Sequence, residues 1–203
     1  MMNIPRSVWL IRHGQTDWNL AGRYQSYTDR PLTDYGRRQA RALASYFAGR
    51  KVDAVIHSGL SRTEFVARAI VGARSLPCLP NEDWREASHG VWEGLTYAEV
   101  VQRYPEDAAN RFADALNNAP AEGESLAEAA ERVMVAWRRL GHTHSRQRVV
   151  VVTHATPIQV VLCMLTGVPL RDHWRWRIDL GGVTAIDCYP GATILRAVNV
   201  GPR

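Results

Sequence analysis

Val8-Trp9-Leu10-Ile11 runs without a polar break into Arg12-His13-Gly14, and the same arrangement returns twice along the chain. Ala54-Val55-Ile56 leads into His57-Ser58, with Arg62 shortly after, and Val149-Val150-Val151-Val152 leads into Thr153-His154. A short, continuous, β-branched apolar run is the pattern of a strand covered on both faces, because a wet face would impose alternation. Helical patterns separate these runs. Thr33 is placed to cap a helix from Asp34 to about Phe47, with Ala40, Leu43, Ala44 and Phe47 at helical spacing and Gly49 as its stop. Ser125-x-x-Glu128 reads as a capping box for a helix from Leu126 to about Leu140, stopped by Gly141. Pro157–Leu165 reads as another, with Pro157 in its first turn and Gly167 at its end. Strand alternating with helix predicts an α/β fold, a three-layer α/β/α doubly wound and mostly parallel sheet. Such sheets bind ligands at the carboxyl ends of their strands, which is where Arg12-His13, Ser58 to Arg62, and His154 fall.

The pattern changes between Pro80 and Pro120. Trp84–Gly94 reads as loop, while Tyr97–Tyr104 and Glu106–Leu116 read as short helices with Pro105 between them. We expect a single domain over residues 1–203, with about 80–120 forming a small helical insertion over the site. The tail Trp176–Val200 alternates around Pro190-Gly191 and predicts a closing β-hairpin. Most of the tryptophans (9, 84, 92, 137, 174 and 176) are expected in the core.

Composition excludes several classes. With 203 residues, 46% hydrophobic and 22% charged, the chain matches ordinary globular averages and is not disordered or collagenous. No apolar run approaches the roughly 18 residues that span a bilayer, and Met1–Arg6 lacks a signal-peptide pattern. The three cysteines, 78, 163 and 188, are far apart and form no CxxC, so a cytoplasmic location is expected. The net charge is +5, and residues 1–50 account for it with eight arginines against three aspartates. These arginines are scattered, and Arg37, Arg38 and Arg41 read as one solvated helix face. Nucleic-acid binders concentrate their charge in a run or stripe, so a small anionic substrate is the better expectation, with neither nucleic acid nor membrane as partner.

Two arginines and two histidines at neighbouring strand ends suit one kind of chemistry. Guanidinium forks match phosphate oxygens and stay charged. A histidine among them is biased towards neutrality by like charge, and a neutral imidazole has a nitrogen free to act as nucleophile. Attack on phosphorus gives a phosphohistidine, with the arginines balancing the equatorial oxygens. The leaving oxygen then needs a proton from a nearby carboxylic acid. Gly14 lets the backbone approach the substrate closely.

Leu10-Ile11-Arg12-His13-Gly14-Gln15-Thr16-Asp17-Trp18-Asn19 resembles the opening signature of the histidine phosphatase superfamily, in its phosphoglycerate mutase-like branch. The resemblance continues in order through Pro31-Leu32-Thr33, Gly36, Ser58-x-Leu60-x-Arg62, Arg85-Glu86, Gly90-x-Trp92-Glu93-Gly94, Gly123-Glu124-Ser125 and Val152-Thr153-His154, covering nearly the whole chain. It implies that His13 is the phosphorylated nucleophile and that Arg12, Arg62 and His154 form the phosphate pocket. It further implies that Asn19 and Thr16 add hydrogen bonds, that Glu86 is the proton donor and later the base for water, and that Gln25 lies near the substrate mouth. No metal or cofactor is implied. Ala155-Thr156-Pro157 stands where the family commonly has glycine pairs; Ala155 still offers its backbone N–H to substrate. His57 and His89 have no counterpart in the pattern, and His89 follows Glu86 closely enough to touch substrate.

The resemblance implies a cofactor-independent phosphomonoesterase acting on a small phosphorylated metabolite, with a homodimer as a common family arrangement. The tail, through His173-Trp174-Arg175-Trp176-Arg177-Ile178-Asp179 and Gly182–Asp187, resembles α-ribazole phosphatases and broad-specificity phosphatases of similar size. The alternatives are a mutase, which returns the phosphoryl group to a substrate, and a non-catalytic phosphate-binding protein, against which the intact Arg12, His13, Arg62, Glu86 and His154 argue. A metal-dependent hydrolase would need clustered His and carboxylate ligands, and the sequence has no HxxxH or HExxH.

Overall fold

The computed structural model describes residues 7–201, so the reading of Met1–Arg6 lies outside the described residues. In chain order the elements are β1 (Ser7–Arg12), α1 (Asp17–Leu20), α2 (Asp34–Ala48), β2 (Ala54–His57), α3 (Ser61–Val71), β3 (Cys78–Pro80), α4 (Tyr97–Arg103), α5 (Pro105–Ala113), α6 (Leu126–Thr143), β4 (Arg148–Thr153), α7 (Ala155–Thr166), β5 (Val183–Tyr189) and β6 (Ala192–Val200). Short 3-10 helices lie at Glu82–Trp84, Gly90–Trp92 and Leu170–Arg175.

The six strands form one sheet in the order β3-β2-β4-β1-β5-β6. The first four are mutually parallel; β5 runs antiparallel to β1, and β6 antiparallel to β5. The continuous apolar runs now have their physical reason. On β1, Val8 and Leu10 enter the cluster beneath α6 and α7, while Trp9 and Ile11 enter the one beneath α2 and α3. Val149 and Val151 of β4 divide from Val150 and Val152 in the same way. Each such side chain, fully removed from water, contributes about 1.5–3 kcal/mol, so both faces of these strands drive the fold. Register then fixes the site: Ile11 and His57 both pair with Val152, and Arg12 pairs with Thr153. The ends of β1, β2 and β4 are therefore level, and the residues that follow them share one edge.

Several boundaries differ from the sequence reading. The Leu126 helix does not stop at Gly141 but continues to Thr143. Gly141 is buried and keeps a right-handed backbone, so it serves packing and not termination. Helix α7 begins at Ala155, two residues before Pro157, because the Glu86 carboxylate accepts the Ala155 and Thr156 N–H groups that a helix start leaves unpaired. Gly167, left-handed at φ 72°, ends it as expected. Pro105 is not a spacer but the first residue of α5. That helix ends at Ala113, short of Leu116, because Asp114 turns its carboxylate back onto the N–H groups of Leu116 and Asn117. The Trp84–Gly94 stretch holds one 3-10 turn, at Gly90–Trp92, and follows another, Glu82–Trp84, that ends on its first residue. The hairpin starts at Val183, not Trp176, since Leu170–Arg175 is a 3-10 helix and 176–182 is irregular and turn. Trp174 is 65% exposed and not a core residue, whereas Trp9, Trp84 and Trp92 are buried.

Two features position the site. The loop after β1 crosses the first turn of α2 so closely that a Cβ on Gly14 would lie 2.6 Å from the Gly36 carbonyl oxygen, and one on Gly36 only 2.1 Å from that of Gln15. Between β3 and α6, Trp92, Val100 and Ala108 form a satellite core with Tyr24, Val91, Leu95 and Tyr104. The buried Trp92 ring is anchored by its Nε1–H, which donates to Asp107 at 2.8 Å. No helix among the described residues is long and apolar enough to cross a membrane.

Candidate active site

His13 follows β1 directly, with its backbone N–H on Thr153 O, so β4 fixes its height. The ring is 3% exposed. Its Nδ1 lies 2.7 Å from Gly14 O. A carbonyl can only accept, so Nδ1 carries the proton and Nε2 keeps the lone pair. Burial, then Arg62, then Arg12 push the imidazole well below its ordinary pKa, against the Gly14 bond, which favours the charged form. The neutral ring required of a nucleophile is thus imposed by desolvation first and by like charge second.

Arg62 enters from the first turn of α3 and is 0% exposed. It donates to Ser26 O at 2.5 Å and Thr28 O at 3.1 Å, and Asp29 lies 3.8 Å away. Burial pulls its pKa down to about 10, resisted by Asp29 and Glu86, so the cation persists at neutral pH. Arg12 donates to Ile178 O at 2.7 Å. His154 follows β4, with ring centroid 5.0 Å from that of His13. Ser58 Oγ holds its Nε2 at 2.8 Å, leaving Nδ1 3.5 Å from Arg62 Nη2. Burial, followed by Arg62, His13 and Arg12, also keeps this ring well below the usual histidine range. The Arg12 Nε, Arg62 Nε and Gln25 Nε2 atoms are buried without a hydrogen-bond partner. Orphaned donors of this kind are rare in folded proteins, and here three belong to residues of one site.

Glu86 is 7% exposed. Its carboxylate accepts from Ala87 N at 3.0 Å, Thr156 N at 3.1 Å and Ala155 N at 3.1 Å, at the N-terminus of α7. A brace behind it sets its place: Arg132 donates to the carbonyls of Asp83, Arg85 and Glu86 while paired with Glu124 at 2.7 Å. Glu124 in turn accepts from Ser88 N.

Thr16 is fully buried, caps α1, and donates to Gln25 Oε1 at 2.7 Å. Asn19 closes a capping box with Thr16, which occupies its Oδ1 and leaves Nδ2. Gln25 is thereby tied to the signature loop. The Ala155 N–H, expected to face substrate, is instead given to the Glu86 carboxylate at the start of α7. His89 stacks edge-on against Tyr24, centroids 5.0 Å apart, and its N–H is held by Ser26 Oγ. His57, although buried at the end of β2, accepts from Gly59 N and takes a structural place.

Sequence reasoning missed the partners more than the principals. Ser58 was part of the motif without a role, Ser26 and Thr28 act through carbonyls that no side-chain pattern reveals, and Glu93 shapes their loop by accepting both their N–H groups. The signal for Glu93 was its place in Gly90-x-Trp92-Glu93-Gly94. Among the described residues, no group of three His, Cys, Asp or Glu is placed to hold a metal ion.

Residues 8–201 match the Histidine phosphatase superfamily (branch 1). The chain belongs to this superfamily. It is 31% identical over 191 residues to phosphoserine phosphatase 1 of Hydrogenobacter thermophilus, covering 94% of this chain and 90% of the relative. It is 32% identical over 195 residues to the adenosylcobalamin/alpha-ribazole phosphatase of Escherichia coli, covering 95% of each. The crystal structure of a putative alpha-ribazole-5'-P phosphatase from Escherichia coli superposes with a TM-score of 0.91 at 30% identity, covering 97% of each chain. The chain is accordingly an enzyme, a histidine-type phosphatase.

Proposed function

We propose that this histidine phosphatase hydrolyses small organic phosphate monoesters through a phosphohistidine on His13, with Glu86 as proton donor. The observation that carries the proposal is the state of His13: neutral, Nδ1–H bound to Gly14 O, and Nε2 left as nucleophile beside two arginines. A tetrahedral phosphoryl group supplies the acceptors that Arg12 Nε, Arg62 Nε and Gln25 Nε2 lack. Nε2 attacks phosphorus, the ester P–O bond breaks, and the Glu86 carboxyl gives its proton to the leaving oxygen. Glu86, now a carboxylate, removes a proton from water, whose oxygen attacks phosphorus as the P–N bond breaks. Inorganic phosphate leaves and both residues return to their starting forms. His154 lines the pocket beside the phosphoryl group, and Ser58 fixes its ring.

The wall on the Glu86 side, with Tyr24, His89 and the segment of about 80–120, covers the site and selects the alcohol portion of the substrate. Relatives named for α-ribazole and phosphoserine support a small organic phosphate, with α-ribazole 5′-phosphate and broad specificity as the leading possibilities within that class. The test is phosphate release in EDTA from a panel of α-ribazole 5′-phosphate, phosphoserine, 3-phosphoglycerate, sugar phosphates and p-nitrophenyl phosphate. We expect release without added metal, and His13→Ala to abolish turnover while phosphate binding stays measurable. Near wild-type turnover in His13→Ala would overturn the mechanism; transfer to a second substrate without phosphate release would replace hydrolysis by mutase chemistry.

A further inference from the structure

A cavity lies at the end of the sheet away from His13, where β1 and β4 begin and β5 ends. Its volume is about 410 Å³ and its wall includes Trp9, Arg50, Lys51, Arg148, Asp187 and Arg196. Four cations thus face it against one carboxylate. The carboxylates that approach them do so loosely: Arg148 is 3.7 Å from Asp53, and Arg196 is 3.7 Å from Asp187. Asp187 is already committed to the Ser7 hydroxyl at 3.0 Å. Among the described residues, no ion pair engages Arg50 or Lys51; the Arg50 guanidinium lies 3.6 Å over the Tyr46 ring and bonds the Tyr46 carbonyl.

An independent observation points the same way. Trp9 is 5% exposed, yet its buried Nε1–H has no acceptor. Buried tryptophan N–H groups usually find one. The Arg196 guanidinium lies 5.8 Å over the same ring. The wall therefore combines a surplus of positive charge, which an incoming anion would balance, with a tryptophan whose buried N–H lacks an acceptor. A volume of this size lies within the range of small-ligand pockets, and arginine forks match phosphate oxygens.

We propose that this cavity is a second, non-catalytic binding site for a compact multivalent phosphate anion, such as a pyrophosphate or the polyphosphate end of a phosphorylated metabolite. It contains no histidine. Burial pushes its one thiol, Cys188, up to about 11, away from the thiolate form at neutral pH. It is separate from the catalytic pocket, since Ser7 and Trp9 sit at one end of β1 while Arg12 and His13 sit at the other.

The test is isothermal titration of the full chain with inorganic pyrophosphate while orthovanadate fills the catalytic pocket. We expect one vanadate-resistant pyrophosphate site per chain. The exposed double variant Lys51→Gln/Arg196→Gln should weaken it about tenfold or more, the scale of losing two charge-assisted contacts, while hydrolysis of p-nitrophenyl phosphate stays close to wild type. The indole N–H proton resonance that disappears in Trp9→Phe should shift on pyrophosphate addition in the wild-type chain. Absence of vanadate-resistant binding, or binding that leaves both the double variant's affinity and the Trp9 resonance unchanged, overturns the site.

Discussion

At His13 the neighbouring Gly14 carbonyl decides which nitrogen keeps its lone pair, and burial keeps the ring neutral. That arrangement has a cost on acidification. Both His13 and His154 are held below the 6.5 of a free imidazole, so the unfolded chain binds protons first as pH falls. Stability is complete above pH 6.5 and declines below it, by up to about 1.4 kcal/mol per pH unit for each histidine. His57, His89 and His173 act in the same direction. Urea unfolding between pH 7 and about pH 5 should show this decline, and His13→Ala should flatten it; an unchanged slope in the variant would place the proton uptake elsewhere. A second prediction concerns Ser58, which holds His154 through Nε2. Ser58→Ala should cost about 1–3 kcal/mol of stability through the unpaired ring nitrogen and lower kcat on p-nitrophenyl phosphate. Ser58→Thr should restore part of it, which steady-state kinetics can check. The principals Arg12, His13, Arg62 and His154 were legible because motif and strand end coincide. Ser58, Ser26 and Thr28 were not, because their roles depend on which loop folds over which helix.

Among the elements, the start of α7 and the brace from α6 share control of Glu86. Arg132 reaches the carbonyls of Asp83, Arg85 and Glu86 while paired with Glu124. Removing it leaves those carbonyls and a half-buried carboxylate without their partner. Arg132→Met should therefore slow alkyl phosphates, whose leaving oxygen needs a proton, by about tenfold or more, and p-nitrophenyl phosphate much less. Equal losses on both would make the brace purely structural. The crossing of Gly14 over Gly36 belongs to the same scale. Gly36→Ala should destabilise the protein by about 2 kcal/mol or more, since a backbone oxygen must move, and thermal unfolding measures this. Helix ends were the least legible elements, for reasons visible in particular residues. Gly141 is a packing residue inside α6, and Asp114 ends α5 by bonding its own turn. A sequence pattern weights both by their usual habits, and tertiary contacts reverse them.

For the molecule as a whole, one sheet with two differently packed faces carries the proposed catalytic residues at one end and a cationic cavity at the other. The alternation of β1 and β4 side chains between the two clusters explains why the apolar runs alone revealed the fold. It also separates stability from chemistry. Leu43 of α2 is fully buried beneath the sheet and belongs to no part of the site. Leu43→Ala should cost about 2–5 kcal/mol of unfolding free energy, with KM unchanged in the protein that remains folded. The central claim is that phosphorus passes through His13, and rapid acid-free quenching of the enzyme with 32P-labelled substrate tests it most directly. The account predicts a base-stable, acid-labile label on His13, accumulating further in Glu86→Gln with p-nitrophenyl phosphate and absent in His13→Ala. Turnover with no labelled protein, or a label that survives His13→Ala, would contradict it.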